Sequence, residues 1–134
     1  MIAKYSLYAD SYRVSPNATA VLEQLGIDLS QPVRRGAIYG KKKPTVFEHA
    51  VPAKVVRAAL LASTRSVVAV KRILARCGPV AILTREEDTR LSARGLSQKM
   101  PATWVWGDGL LARYDEAGID LSKRLISMYG AVKR

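Results

Sequence analysis

Apolar residues recur along this chain in the two spacings that distinguish short helices from short strands. Positions three or four residues apart predict helices over residues 16–25, 53–62, 66–77, 85–94 and 109–117. The uninterrupted apolar run Val80–Thr84 follows Gly78-Pro79 and ends at a helix cap, which predicts a buried central strand. The remaining patterns predict a second strand at 45–51, a short strand or extended arm within 2–14, and a last helix at 122–129.

Local signals mark where these helices begin and end. Ser15 before Pro16 is typical of a helix start, and Thr84 with Glu87 three residues later forms a capping-box pattern. Asp108 is expected to cap the helix at 109–117. The sequence Gly-Ile-Asp-Leu-Ser occurs at 26–30 and again at 118–122, each time after a helical pattern. We interpret the two copies as reuse of a glycine helix stop, because their flanking sequences do not match.

The chain of 134 residues fits one domain with its own core, which we place at residues 1–134. The order of elements predicts an α+β fold in which four or five short helices pack on a small sheet that includes residues 45–51 and 80–84. Two basic parts are expected outside the regular elements. They are a flexible loop at about 31–44, broken by Pro and Gly, and a frayed tail at 131–134.

The charge balance indicates a polyanionic partner. Lys and Arg number 22 against 11 Asp and Glu, which gives a net charge of +11 and a pI near 10.2. Nucleic acid is the most common polyanion for such a protein, and we expect DNA rather than RNA. A membrane is not expected, because no apolar run approaches ~20 residues and the basic residues form no anchor helix. The oligomeric state is left open.

The single cysteine, Cys77, limits the covalent and metal chemistry that is open to the chain. It cannot form an internal disulfide, and one Cys with one His cannot assemble a zinc site. The first ten residues lack the apolar segment of a signal peptide. These features predict a cytoplasmic protein. The pattern from Thr84 to Ile119 resembles that of small bacterial or phage proteins, which implies a protein of that type.

Basic side chains gather in two stretches that are candidates for phosphate contacts. The predicted helix at 66–77 carries three of them on the side opposite its apolar residues, and the loop before residue 45 carries five. The alternative is that the loop is only a solvated surface. The candidates are Lys71, Arg72 and Arg76 on the helix, and Arg34, Arg35, Lys41, Lys42 and Lys43 on the loop.

The only histidine, His49, follows Glu48 directly and precedes Pro52 by three positions. A histidine can take or give a proton near neutral pH, which makes His49 the first candidate for catalysis. The stretch Glu48-His49-Ala50-Val51-Pro52 resembles the first motif of the HNH, or His-Me finger, endonucleases. This resemblance implies that His49 is the general base that activates a water. It also implies that Glu48 helps to hold a divalent metal, Mg²⁺ or Mn²⁺.

The resemblance requires a further metal ligand. The family usually supplies an asparagine or histidine from a following helix, whereas the only asparagine here, Asn17, lies upstream. In the acidic cluster after His49, Glu87 serves the capping box, so Glu86 and Asp88 are the expected ligands. The alternatives are that His49 bonds a backbone carbonyl at a strand end and that the carboxylates only complement the helix dipole.

Two functions stay open at this point. The first is a small metal-dependent endonuclease that hydrolyses phosphodiester bonds with Glu48 and His49. The second is a non-catalytic DNA- or RNA-binding protein that uses the loop at 34–43 and basic helix faces. Cleavage with a metal requirement would distinguish the first function from the second.

Overall fold

The computed structural model describes residues 11–62 and 80–129, and it shows a small α+β domain with a five-stranded mixed sheet. The five strands are β1 (Ser11–Val14), β2 (Val33–Arg34), β3 (Thr45–His49), β4 (Val80–Thr84) and β5 (Leu125–Tyr129). The helices within these residues are α1 (Pro16–Gln24), α2 (Arg35–Ile38), α3 (Ala53–Ala62), α4 (Arg85–Ala93) and α5 (Ala112–Glu116).

The sheet has the strand order β2-β5-β1-β4-β3, so β1 and β4 lie near its centre. Strand β1 pairs in parallel with β4 and antiparallel with β5, while β3 runs antiparallel to β4 along its whole length. Strand β2 adds a short parallel ladder to β5. The apolar run predicted as a central strand is β4, which is buried from Val80 to Leu83.

The two predicted helix starts are confirmed, and one buried carboxylate joins them. The Ser15 hydroxyl accepts a bond from the Ala18 amide (3.1 Å) at the start of α1. Thr84 and Glu87 form the capping box of α4. Ser15 also donates to Oε1 of Glu87 over 2.6 Å, and Glu87 is only 2% exposed. The N-termini of α1 and α4 are therefore held side by side, next to the ends of β1 and β4.

Apolar side chains fill both faces of the sheet. On one face, Tyr12, Ile82 and Ile126 pack with α1. On the other face, Ala81 and Leu83 pack with α4, α5 and the loops beside them. A third cluster lies at α3, where Trp104 and Trp106 pack edge to face with ring centroids 5.1 Å apart. The two tryptophans thereby anchor an edge of the core.

Both copies of Gly-Ile-Asp-Leu-Ser end a helix and lead into a strand. Gly26 and Gly118 have φ of 80° and 71°, and in each copy the following isoleucine amide bonds back into the helix. The Asp28 and Asp120 carboxylates each accept bonds from the serine two residues later. Strands β2 and β5 both begin seven residues after the glycine and then pair with each other. The helix-stop interpretation is confirmed.

Two predicted helices need correction. Residues 125–129 form strand β5 in place of the helix predicted at 122–129, because every second side chain is buried and the backbone pairs with β1. Helix α5 covers only Ala112–Glu116, and Asp108 does not cap it. The Asp108 carboxylate accepts from the Val105 amide in the preceding turn. The predicted strand at 45–51 ends at His49.

Some predictions fall outside the described residues, namely the helix at 66–77 with its basic side chains, the tail at 131–134 and the start of the arm at 2–14. The segment 31–44 is only partly irregular, since it contains β2 and α2. No helix within residues 11–62 and 80–129 is long and apolar enough to cross a membrane.

Candidate functional site

Strand β3 connects the two parts of the molecule that carry the candidate residues. Among the described residues, β3 lies at one edge of the sheet. A turn that carries three lysines precedes its first residue, and His49 is its last. We call residues Gly40–Lys43 the lysine turn, and the surface depression beside His49 the His49 groove.

The lysine turn is fixed by an arginine from another element. The Lys43 amide donates to the Gly40 carbonyl over 3.2 Å, and Gly40 has φ 151°, a backbone region that favours glycine. The guanidinium of Arg85, at the start of α4, donates to the Lys41 carbonyl (2.6 Å) and to the Lys43 carbonyl (2.7 and 3.0 Å). The side chains of Lys41 and Lys42 are exposed. Arg85 binds the carbonyl oxygens, which carry partial negative charge. The outer side of the turn therefore presents the positive charge of its lysines.

An aromatic groove lies beside the lysine turn. The Tyr39 ring packs edge to face on Phe47 with centroids 5.0 Å apart, yet 37% of Tyr39 is exposed. The groove has a volume of about 390 Å³, and Tyr39, Lys41 and Arg85 are among the residues that line it. An exposed aromatic ring beside exposed lysines is the combination that binds a nucleotide through its base and its phosphate.

The two arginines before the turn have different environments. Arg34 is exposed, as expected for a phosphate contact. Arg35 is only 3% exposed and donates to the Tyr12 hydroxyl over 2.6 Å, with its guanidinium 5.5 Å from the Tyr12 ring centre. Its position inside the domain does not fit the prediction that it contacts phosphates. The other predicted contacts, Lys71, Arg72 and Arg76, lie outside the described residues.

The His49 groove lies at the other end of β3 and has a volume of about 450 Å³. Glu48 and His49 line it, although neighbouring residues of a strand normally point to opposite faces. Both reach the groove because β3 ends there and the chain turns toward Pro52. Lys54 and Arg57, three residues apart on the first turns of α3, add exposed positive charge to the groove wall.

A fully buried arginine, Arg113 of α5, forms the base of this groove. Its guanidinium donates to three main-chain carbonyls, namely those of Ala50 (3.3 Å), Leu96 (2.6 Å) and His49. It also donates to Oε1 of Glu48 over 2.7 Å. Arg113 therefore joins the end of β3, the loop after α4 and α5 around a single charge.

Glu48 is committed to this arginine. The pair is partly buried, since the side chain of Arg113 is 0% exposed and that of Glu48 is 17% exposed. Burial raises the pKa of the Glu48 carboxyl, and Arg113 opposes this effect. Arg113 is bonded to Oε1 of Glu48, and its positive charge would repel a metal ion at this carboxylate. Glu48 therefore has a structural role in holding the end of β3.

His49 has the opposite character, because its ring makes no hydrogen bond to the described residues. Its Nδ1 atom is buried and has no partner there, so the expected bond to a backbone carbonyl is not made at this nitrogen within residues 11–62 and 80–129. Burial lowers the pKa of His49, and the charge of Arg113 lowers it further. The imidazole is therefore neutral at pH 7 and able to accept a proton.

The acidic cluster on α4 does not complete a metal site with Glu48. Glu86 pairs on the surface with Arg90 at 3.0 Å, and Glu87 is used by the capping box. Asp88 is half-buried, and its charge adds to the effect of burial in raising the pKa of Glu48. No three His, Cys, Asp or Glu side chains within 11–62 and 80–129 converge as metal ligands. Only one of the 11 acidic residues, Asp10, lies outside those ranges.

The predicted ligand set of Glu48, Glu86 and Asp88 therefore does not fit a divalent metal in this arrangement. Comparison of the chain with models of protein families, with curated proteins and with solved structures finds no match. The resemblance of Glu48–Pro52 to the HNH motif stays a prediction. A function is therefore inferred from the geometry of the lysine turn and of the His49 groove.

Sequence reasoning missed Arg113, Lys54 and Arg57 as residues of the groove. The spacing of the inward positions in and around α5, at 110, 113, 114 and 117, does place Arg113 on the buried stripe. A charged residue at such a position signals an internal partner. Its partners, 17 to 65 residues away along the chain, carry no sequence signal.

Proposed function

We propose that the protein binds nucleic acid and that the lysine turn contacts its phosphates. The observation that carries this proposal is the clamp of Arg85 on the Lys41 and Lys43 carbonyls, which orders the turn before any ligand arrives. An ordered cationic turn loses less conformational entropy on binding than a mobile loop does. The net charge of +11 adds long-range attraction for a polyanion.

The salt dependence of affinity tests this proposal. Replacing the two fully exposed lysines, Lys41 and Lys42, by alanine should weaken binding and reduce the slope of log affinity against log salt by up to roughly 2, because each phosphate contact releases about one counterion. The matched control replaces Lys99 and Lys123, which are also exposed and change the net charge equally. If both double variants alter the slope alike, only overall charge matters and the lysine turn is not the contact surface.

The His49 groove supports a second candidate function, cleavage of the phosphodiester bond. The specific observation is a neutral histidine with an uncommitted ring, beside the exposed cations Lys54 and Arg57. In this proposal Nε2 of His49 accepts a proton from a water whose oxygen attacks the phosphorus, since Nδ1 is buried. The bond from phosphorus to the leaving oxygen breaks, that oxygen takes a proton from solvent, and Lys54 and Arg57 hold the phosphate. Arg113 and Glu48 position the histidine by fixing the backbone at the end of β3. No step is assigned to a metal, because the carboxylates do not form its site.

A nuclease assay on the pure protein tests the second function. DNA and RNA strands are incubated with the parent protein in Mg²⁺, in Mn²⁺ and in a chelator. His49→Gln keeps the size and polarity of the side chain but cannot act as a base near neutral pH, so it should abolish cleavage and leave affinity unchanged. Cleavage by His49→Gln at the parent rate would remove the histidine from the reaction, and cleavage by neither protein would leave binding as the function.

Two finer points belong to the same proposal. DNA is the preferred target over RNA on the basis of the resemblance at Glu48–Pro52, and the assay compares both. A cytoplasmic location is proposed from the single cysteine and the charge of the chain.

A further inference from the structure

The exposed side chains of β5 lie on a part of the sheet that is not covered by the core clusters on its two faces. Its side chains alternate between exposed and buried, with Leu125 and Tyr129 each 54% exposed and Ile126 and Met128 buried. The buried residues face α1. The exposed residues lie on the face whose other half, at β4, is covered by α4 and α5. The half formed by β1, β5 and β2 carries arginines beside the exposed Leu125 and Tyr129, in place of a packed core.

The strand register brings arginines next to these exposed residues. Arg34 of β2 lies directly opposite Tyr129, and it is exposed like its neighbour. Arg13 of β1 lies opposite Leu125 and is half-buried, with one guanidinium nitrogen donating to the Leu121 carbonyl over 3.1 Å. Ser127 of β5 is the remaining exposed residue of this face. None of the five residues carries a negative charge. We call these residues the β5 face.

We propose that the β5 face binds single-stranded nucleic acid, with a base stacked on the Tyr129 ring and Arg34 on the adjacent phosphate. The inference rests on the proposed binding of nucleic acid and names its class. An aromatic ring on an open sheet surface, with an arginine one strand away, presents a flat apolar surface for a base and a positive charge for a phosphate. Neighbouring strands are about 4.8 Å apart, so the two side chains start within the span of one nucleotide.

The residues of the β5 face favour a single strand over a duplex or a protein as the binding partner. A duplex keeps its bases stacked inside, so only its phosphates would meet the face and Tyr129 would contribute little. A protein partner would have to cover Arg34 with a carboxylate or leave a charge unpaired. An unpaired base next to a phosphate satisfies Tyr129 and Arg34 at once.

Substitution at Tyr129 tests this inference with two matched probes. Affinities are measured by fluorescence anisotropy for a labelled single strand of about 16 nucleotides and for the same strand annealed to its complement. Tyr129→Leu keeps an apolar side chain but removes the ring, and it should weaken single-strand binding by about tenfold while duplex binding stays unchanged. Tyr129→Phe restores a ring and should bind the single strand like the parent. Thermal melting checks that both variants are folded.

The outcomes separate this inference from the proposal on which it rests. If Tyr129→Leu binds the single strand like the parent, while the variant lacking Lys41 and Lys42 loses affinity, the β5 face is not a binding surface and the lysine turn remains one. If the parent binds neither probe, both proposals fall. If Tyr129→Leu changes the sedimentation behaviour of the protein but not its affinity, the face is a contact between copies of the chain and the inference is overturned.

Discussion

At each end of β3, an arginine from another element binds main-chain carbonyls. The arginine is exposed at the start of the strand and buried at its end. At the start of the strand, Arg85 binds the carbonyls of Lys41 and Lys43 and is itself exposed. At the end of the strand, Arg113 binds the carbonyls of His49, Ala50 and Leu96 and is fully buried. Each guanidinium comes from a different helix and fixes a short irregular segment that carries candidate functional residues.

The difference in burial decides what each arginine contributes. Water can replace Arg85 at the carbonyls it leaves, so its bonds have a modest net value. Water cannot easily reach the carbonyls and the carboxylate around Arg113, so these groups depend on it. The comparison indicates that Arg113 supports the fold and the His49 groove together, whereas Arg85 shapes the lysine turn and leaves the fold nearly unaffected.

The largest effect is expected from Arg113→Met, which keeps the length of the side chain and removes its charge. Three carbonyls and the Glu48 carboxylate lose the guanidinium as a donor, and only the His49 carbonyl and Glu48 keep a longer bond from the Tyr114 hydroxyl. The free energy of unfolding should therefore fall by about 3–5 kcal/mol. Urea unfolding measures the change. Arg85→Met is the matched control, and a loss of the same size at Arg85 would show that burial does not distinguish the two sites.

A double variant separates the contribution of the Glu48 ion pair from that of the main-chain carbonyls. If the cost of Arg113→Met arises partly from leaving Glu48 unpaired, Arg113→Met with Glu48→Gln should be less destabilised than the sum of the two single changes predicts. Additive losses would show that the main-chain carbonyls, and not the ion pair, carry the effect of Arg113.

Arg85→Ala should act on binding more than on stability. Its three bonds are at the surface, so the free energy of unfolding should change by less than about 1 kcal/mol. Without the clamp the lysine turn must be ordered when nucleic acid binds, which should weaken affinity several-fold. Arg94→Ala is the control, because Arg94 is also exposed and binds a carbonyl, that of Glu116, away from the turn. Equal affinities of Arg85→Ala and Arg94→Ala would show that the turn needs no clamp.

The smallest effect is the titration of His49, which can be read without ambiguity because the chain has one histidine. Burial and Arg113 lower its pKa, so the imidazole proton signals in NMR should titrate below the ordinary value of about 6.5. In urea the same signals should return to about 6.5. A native midpoint above 6.5 would show that Glu48 dominates over Arg113.

The lowered pKa of His49 also makes the stability of the protein depend on pH. Because the native pKa lies below the unfolded one, the unfolded chain takes up the proton first as the pH falls. The contribution of neutral His49 to stability is therefore fully present above the unfolded pKa, and it is lost as the pH falls through the native pKa. His49→Gln should lack this dependence, which urea unfolding at several pH values will show.

Much of the local structure followed from neighbouring residues. The starts of α1 and α4 depend on Ser15 and on Thr84 with Glu87, which act within three residues of themselves. Val80–Thr84 had to be a buried strand because it is apolar throughout and short. The error at β5 has a physical reason: Leu125, Ile126, Met128 and Tyr129 fit both periods, and only pairing with β1 decided between them.

The sequence by itself determined the α+β class, most helix boundaries, the basic character of the protein and the position of His49 beside Glu48, because these depend on composition and on short-range bonding. Only the tertiary structure decided which charged or titratable side chains can meet a ligand and which are paired inside the domain. It placed Arg35 inside against Tyr12, paired Glu48 with Arg113 and left the ring of His49 uncommitted. These outcomes depend on contacts between residues far apart in the chain, where burial, and not residue type, sets the role of a charged group.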